Sequence, residues 1–286
     1  MSARTPDRAS PSMREHTASQ QLIRDAMLAM AGRCMTEDSL KLRPGHWLDQ
    51  RQLYSLPLRL LPAETIQAAL PPLLDKLAIS PTARQAVLRP LEDGCLGSLH
   101  YLHLGIEQGR CKIYWEAPTP AHAPPDTERF VLYRSWKWFP GEEASLDEYV
   151  LLPSALRVRQ RIEELMPQMP VLVADLLEQL EVSFALQQQP WPPLSVEIES
   201  VVQGRQGARD SLNLHVHSAR LPLGVIAGLM LALSREWQVA PRQQVYQWLA
   251  KHGGQMLSNI SFGLGEDGEP FFTCYYGGRA VTAAAA

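Results

Sequence analysis

The sequence predicts an α+β fold: a closed barrel of ten antiparallel strands with a polar lumen and an outer ring of helices in ααββ repeats. Three observations carry that prediction. Strand-length segments come in five consecutive pairs, helix-length segments come in pairs before three of them, and the strand segments sort aliphatic and polar residues onto opposite faces. Ten twisted strands tend to curl or close, and closure with the helices outside turns the polar face toward a central chamber. An open sheet would instead leave that face in water.

The elements follow in order from hydrophobic period. Helix is predicted over 19–33, strands over 36–43 and 53–61, and helices over 63–77 and 81–91. A hairpin spans 97–107 and 112–116, turned by Gln108-Gly109-Arg110. The stretch APTPAHAPPDT at 117–127 is an exposed connection, because its prolines cannot donate to a ladder. Strands over 129–138 and 148–152 come next, then helices over 154–165 and 171–186. A further strand pair covers 194–203 and 211–218, helices cover 221–237 and 241–252, and a last hairpin covers 257–265 and 269–276. The segments 102–116 and 260–277 share a strand ending in apolar-Gly-apolar, a glycine turn and a return strand closing on an aromatic pair, as expected of a duplicated unit.

Residues at i and i+2 share a strand face. Leu102, Leu104 and Ile106 oppose Tyr101, His103 and Glu107, and Cys111, Ile113 and Trp115 oppose Lys112, Tyr114 and Glu116. The same reading places Val196 and Ile198 against Glu197 and Glu199, Leu212 and Leu214 against Asn213 and His215, and Phe272 and Cys274 against Thr273 and Tyr275. One face is aliphatic and suits amphipathic helices. The other, rich in Lys, His, Tyr, Glu and Asn, is expected to line the lumen, with Gly263 and Gly265 enlarging it.

Composition narrows the class. Of 286 residues, 45% are hydrophobic and 20% charged, which fits a globular chain, and a formal charge of -3 argues against a general nucleic-acid binder. Residues 1–18 are expected to be disordered, 19–278 to form one domain and 279–286 to be a flexible tail. Cys34, Cys95, Cys111 and Cys274 form no CxxC pair, so a reducing cytoplasm is the expected setting. The apolar stretch 221–233 is shorter than the roughly 20 residues of a bilayer span, so none is expected.

Paired strands alternating with paired helices, an antiparallel barrel with a polar interior, and a Lys112-Ile113-Tyr114 strand after a glycine turn resemble the aromatic prenyltransferase superfamily, the ABBA or PT-barrel proteins. The likeness is to the dimethylallyltryptophan synthases and, in length, to the cyanobactin-type peptide prenyltransferases. It covers roughly 36–276 and departs from the pattern where the proline-rich connection replaces a helix pair. It implies transfer of an isoprenoid from its allylic diphosphate to an aromatic, indole or other nucleophilic side chain of a peptide or small molecule, by a monomeric enzyme.

The resemblance assigns diphosphate contact to Lys112 and Tyr114 by motif, and to Tyr275 by repeat position, with Thr273 in place of the lysine. Strand phase adds Arg43, Arg59 and Lys137 as cations, and Tyr133 as a further phosphate donor and cation shield. His215 and His217 are expected to bind diphosphate or relay protons. A first-strand carboxylate acts as base in the family; Glu37 is the first candidate and Asp49 the second. No DDxxD cluster is present, no cofactor is expected to be tightly bound, and Mg2+ is expected at most as a companion of the diphosphate. Two other readings stand beside this one: a metal-dependent barrel enzyme using His103, His215 and His217, and a non-catalytic peptide- or ligand-binding barrel.

Overall fold

The computed structural model describes residues 13–120, 129–202 and 205–283; most of the proline-rich connection and the first part of the expected disordered segment lie outside them. Helix α1 covers Met13–Ala31, starting well before residue 19. Its early turn is held by tertiary contact: the ring of buried His16 accepts a hydrogen bond from the Gly109 amide at 3.0 Å. Strands β1 (Arg33–Arg43), β2 (His46–Leu48) and β3 (Arg51–Pro57) follow, then helices α2 (Ala63–Lys76) and α3 (Pro81–Glu92). Strands β4 (Tyr101–Glu107), β5 (Arg110–Glu116), β6 (Val131–Trp138) and β7 (Ser145–Leu151) come next. Helices α4 (Ala155–Leu165) and α5 (Val171–Leu186) lead to β8 (Ser195–Val202) and β9 (Arg205–His215), and helices α6 (Ala227–Glu236) and α7 (Arg242–His252) to β10 (Leu257–Leu264) and β11 (Pro270–Thr282). Strand β11 thus runs into the stretch expected to be a tail.

Each long strand pairs antiparallel with its neighbours, and β11 pairs back onto β1, with Ser39 opposite Tyr275 and Lys41 opposite Thr273. The sheet is therefore a closed barrel of ten long strands, with short β2 appended to β1 at the rim. All hairpin turns lie at one end; all helical connections lie at the other. Among the described residues no helix is long and apolar enough to cross a membrane.

Caps start the helices where the sequence supplies them. Ser80 accepts from the Ala83 amide ahead of Pro81, and Ser154 accepts from the Arg157 amide. The outward faces of the strands then bury against two helix groups. Leu104, Ile113 and Trp138 pack with Ile23, Leu70 and Val87 of α1 to α3, while Leu40, Leu214, Ile260 and Phe272 pack with helices α4 to α7 through residues such as Phe184 and Met230. Trp115 and Trp138 also donate from their indole nitrogens to the carbonyls of Val87 and Leu77, at 2.8 and 2.9 Å, which fixes the α3 side of the coat to the wall.

Strand β8 has the opposite phase to the one expected. Ile198 lies opposite Tyr149, which lines the lumen, so Ile198 and Val196 point inward and Glu197 and Glu199 outward. Outside, Glu197 meets Arg161 of α4, and Glu199 meets Arg129, which with Arg134 also holds Glu148. An ion network thus covers the outside of the wall near β6 and β7.

Gly263 does not enlarge the lumen as expected. Its φ is +130°, and a Cβ there would stand 2.4 Å from the Asp210 carbonyl oxygen on β9. The glycine lets two strands approach closely. Gly263→Ala is expected to cost about 1–3 kcal/mol of stability, seen as a lower urea midpoint with an unchanged m-value.

Candidate active site

The lumen holds two cavities end to end. The larger, about 1170 Å³, sits at the hairpin-turn end, and its wall includes Lys41, Arg43, Arg51, Lys112, Lys137 and Arg209. The smaller, about 420 Å³, sits at the helix-connection end, and its wall includes Glu37, Ser55, His103, Glu116, Asn213, His215 and Asn259. Tyr114, Tyr149 and Tyr275 line both, so the two spaces meet at a constriction of three phenols.

Two buried carboxylates organise the cations. Glu107 bridges Arg51, at 3.0 Å, and Lys112; Asp147 bridges Arg209, at 2.8 Å, and Lys137. Burial pushes the Glu107 carboxyl up, but Arg51, Lys112 and Lys41 together overrule it and hold the group well below its usual range. Asp147 is likewise held low by Lys137 and Arg209 against its own burial. Burial draws the Lys112 ammonium well down, Glu107 opposes that, and Arg51 and Lys137 add to it. Lys41, whose ammonium lies 4.3 Å from the centre of the Phe271 ring, is lowered to about 7 by burial, with further lowering from Arg51, Arg209 and Arg43. Several cationic donors thus converge on one partly dehydrated space, as binding of a polyanion requires.

The smaller chamber has a different chemistry. Glu37 accepts from the Ser258 hydroxyl, and burial raises its carboxyl to about 7 despite that bond. His215 is lowered to about 4 by burial and by His217, so its ring is neutral, and it stacks on Tyr133 with centroids 6.4 Å apart. Tyr133 also touches Tyr149 at 5.5 Å and His103 at 6.1 Å, making a continuous aromatic wall. The oxygen of Asn213 and Nε2 of His215 are buried without a partner on this cavity, positions that a bound ligand can fill.

Several sequence-based assignments hold in position and others do not. Lys112 and Lys137 stand in the basic wall, Tyr114 and Tyr275 at the constriction, and Glu37 in the smaller chamber. Arg43 lies at the mouth, paired with Asp267. Arg59 is exposed on a 3-10 turn, Leu58–Leu60, because β3 ends at Pro57 and does not run to residue 61. Asp49 is exposed between β2 and β3. His215, His217 and Tyr133 line the smaller chamber, away from the basic wall. Arg51, Arg209, Lys41, Tyr149 and the two bridging acids were not assigned from sequence. Arg51 and Arg209 continue the alternations Leu53-Ser55 and Ser211-Asn213-His215 one step back, a signal that was there to be read.

The three-histidine metal reading fails on its donors. Both ring nitrogens of His103 are engaged, Nδ1 with Ser55 at 2.7 Å and Nε2 with Glu116 at 2.8 Å. Among the described residues no group of three His, Cys, Asp or Glu side chains is arranged to hold a metal ion.

No family model matches the chain, and no curated protein does. Solved structures do. The 5-dimethylallyltryptophan synthase of Streptomyces coelicolor superposes with a TM-score of 0.56 at 13% identity, over 93% of this chain and 92% of that one. The chain has the PT-barrel fold. The 6-dimethylallyltryptophan synthase of Micromonospora olivasterospora, bound to DMASPP and Trp, gives a TM-score of 0.54 at 12% identity, over 84% and 81% of the two chains. Prenyltransferase PriB with L-tryptophan and dimethylallyl thiolodiphosphate gives 0.55 at 13%, over 91% and 90%. This PT barrel closes on ten long strands, and among the described residues no helix lies between β5 and β6.

Proposed function

We propose that the protein is a prenyltransferase that moves an isoprenoid from its allylic diphosphate to an aromatic acceptor. The observation that carries the reading is the junction of a cationic cavity with an aromatic, acid-bearing chamber at Tyr114, Tyr149 and Tyr275. The diphosphate would sit among Lys41, Arg51, Lys112, Lys137 and Arg209, with the allylic C1 directed at the constriction. As the C1–O bond breaks, its electron pair leaves with the diphosphate, and those donors stabilise the growing charge. The tyrosine faces stabilise the allylic cation and keep water from it.

The acceptor ring would occupy the smaller chamber, where Glu37 takes or polarises its N–H or O–H proton. That chamber reaches half-exposed Met35 and exposed Gly278 at the helix-connection end. An aromatic side chain of a peptide could enter there with its backbone outside, as could a small molecule. The lysines and arginines of the larger cavity would neutralise the diphosphate charge.

Dimethylallyl thiolodiphosphate at one hundred times its Kd is expected to stabilise the folded protein by about 2.7 kcal/mol, read as a rise in melting temperature. Incubation with five-, ten- and fifteen-carbon diphosphates and a panel of aromatic amino acids and peptides should then give prenylated mass. No melting response to the analogue together with no prenylated mass from any of the three donors would favour the non-catalytic barrel.

A further inference from the structure

The smaller chamber carries two proton-handling devices on different walls. One is Glu37 on β1. The other is a chain across β3, β4 and β5, in which the Ser55 hydroxyl meets Nδ1 of His103 at 2.7 Å and Nε2 of His103 meets Glu116 at 2.8 Å. Ser55 and His103 are direct cross-strand partners, Glu116 lies one inward position beyond Tyr114, the partner of His103, and all three side chains line the cavity. Alkylation of an acceptor at nitrogen or oxygen releases a single proton, from that atom. Alkylation at a ring carbon keeps the heteroatom proton in the product and releases instead the hydrogen on the new tetrahedral carbon, which must be removed before the ring regains aromaticity. Such chemistry needs a second acceptor, placed away from the group that holds the heteroatom.

We infer that Ser55, His103 and Glu116 form a proton relay that removes the ring proton of an acceptor alkylated at carbon. A carboxylate only accepts, so Nε2 of His103 carries the hydrogen toward Glu116, and Nδ1 accepts from Ser55. The lone pairs of Ser55 are then free to face the ring. In the step, the acceptor's π pair forms the bond to C1 as the C1–O pair leaves with the diphosphate. The ring C–H bond then breaks and its electron pair returns to the ring. The proton goes to the Ser55 oxygen while the Ser55 hydroxyl proton passes to Nδ1, and the imidazolium formed is stabilised by Glu116. This is the division of labour of a hydroxyl–imidazole–carboxylate array, used here to collect a proton. The ring of His103 also stacks on that of Tyr101, with centroids 5.7 Å apart, and touches those of Tyr114 and Tyr133 at 6.2 and 6.1 Å, which holds its plane in place.

The relay rests on the prenyl-transfer reading, and one experiment tests both separately. Ring-deuterated L-tryptophan, indole and L-tyrosine are each offered with dimethylallyl diphosphate. Wild-type protein is expected to alkylate at least one ring at carbon with no primary isotope effect on kcat, because the relay makes proton loss fast. His103→Gln should lower kcat about 100-fold, keep the affinity for dimethylallyl thiolodiphosphate, and bring out a primary isotope effect. Ser55→Ala, a milder change, should bring out the same effect. Either variant keeping wild-type kcat, or losing kcat without an isotope effect, overturns the relay. Product bonded only at nitrogen or oxygen overturns it too, and no product from wild type with any ring and any of the five-, ten- and fifteen-carbon diphosphates, peptides included, overturns the transfer reading and the relay together.

Discussion

Replacing Glu37 with glutamine is expected to lower kcat by about 10²–10⁴-fold while leaving the affinity for the diphosphate donor unchanged. The split follows from position. Glu37 lines the smaller chamber and not the cationic one, and its hydrogen-bond partner, Ser258, belongs to the fold and not to the basic wall. Glutamine is nearly isosteric and still accepts from Ser258, so the change removes a base without emptying space. The pH dependence gives a second test. Burial raises the Glu37 carboxyl to about 7, and a base works only when deprotonated, so kcat, measured with the donor saturating so that bound diphosphate holds the Lys41 charge, should climb as pH rises through about 7 and then level. In Glu37→Gln that limb should vanish. If it survives at the same pH, Glu37 is not the base.

The residues that can be assigned from sequence and those that cannot differ in a physical way. Alternation shows which face of a strand a residue occupies, and for β4, β5, β9, β10 and β11 that was enough, since buried aliphatic side chains meet helices there. In β8 the same alternation misleads. Valine and isoleucine can line a lumen as well as leave it, and only Arg161 and Arg129, distant in sequence, draw Glu197 and Glu199 outward. Alternation also fixes neither the end of a strand nor height along the barrel. Arg51 and Arg59 share one parity, yet the strand stops at Pro57, so the first joins the wall and the second is solvated. His215 faces inward as expected, but stagger between strands sets it beside Tyr133 and not beside Lys112. The bridging roles of Glu107 and Asp147 depend on pairings across strands, which one chain read in order does not display.

Those bridges give the second large effect, with a sign that simple electrostatics reverses. Taking a negative charge out of a cationic cavity should tighten anion binding by Coulomb's law. We expect Glu107→Gln to weaken donor binding at least about tenfold, or roughly 1.4 kcal/mol. Glu107 is the group that opposes proton loss from buried Lys112, whereas Arg51 and Lys137 promote it. Without the carboxylate, the burial and neighbouring cations that draw Lys112 down are no longer opposed, so the gain from removing one negative charge is set against a weakened cationic donor; Arg51 also loses its 3.0 Å anchor. Breaking a buried ion pair also costs about 3–5 kcal/mol of stability, so affinity must be measured by calorimetry at a temperature where melting shows the variant folded. The partner variant completes a cycle. Lys112→Met should weaken donor binding in the wild-type background and change it less in the Glu107→Gln background, because the donor it removes is already weakened there. Tighter binding by Glu107→Gln would mean that Glu107 is a counterion the diphosphate displaces, and equal losses from Lys112→Met in both backgrounds would show that the lysine keeps its proton unaided.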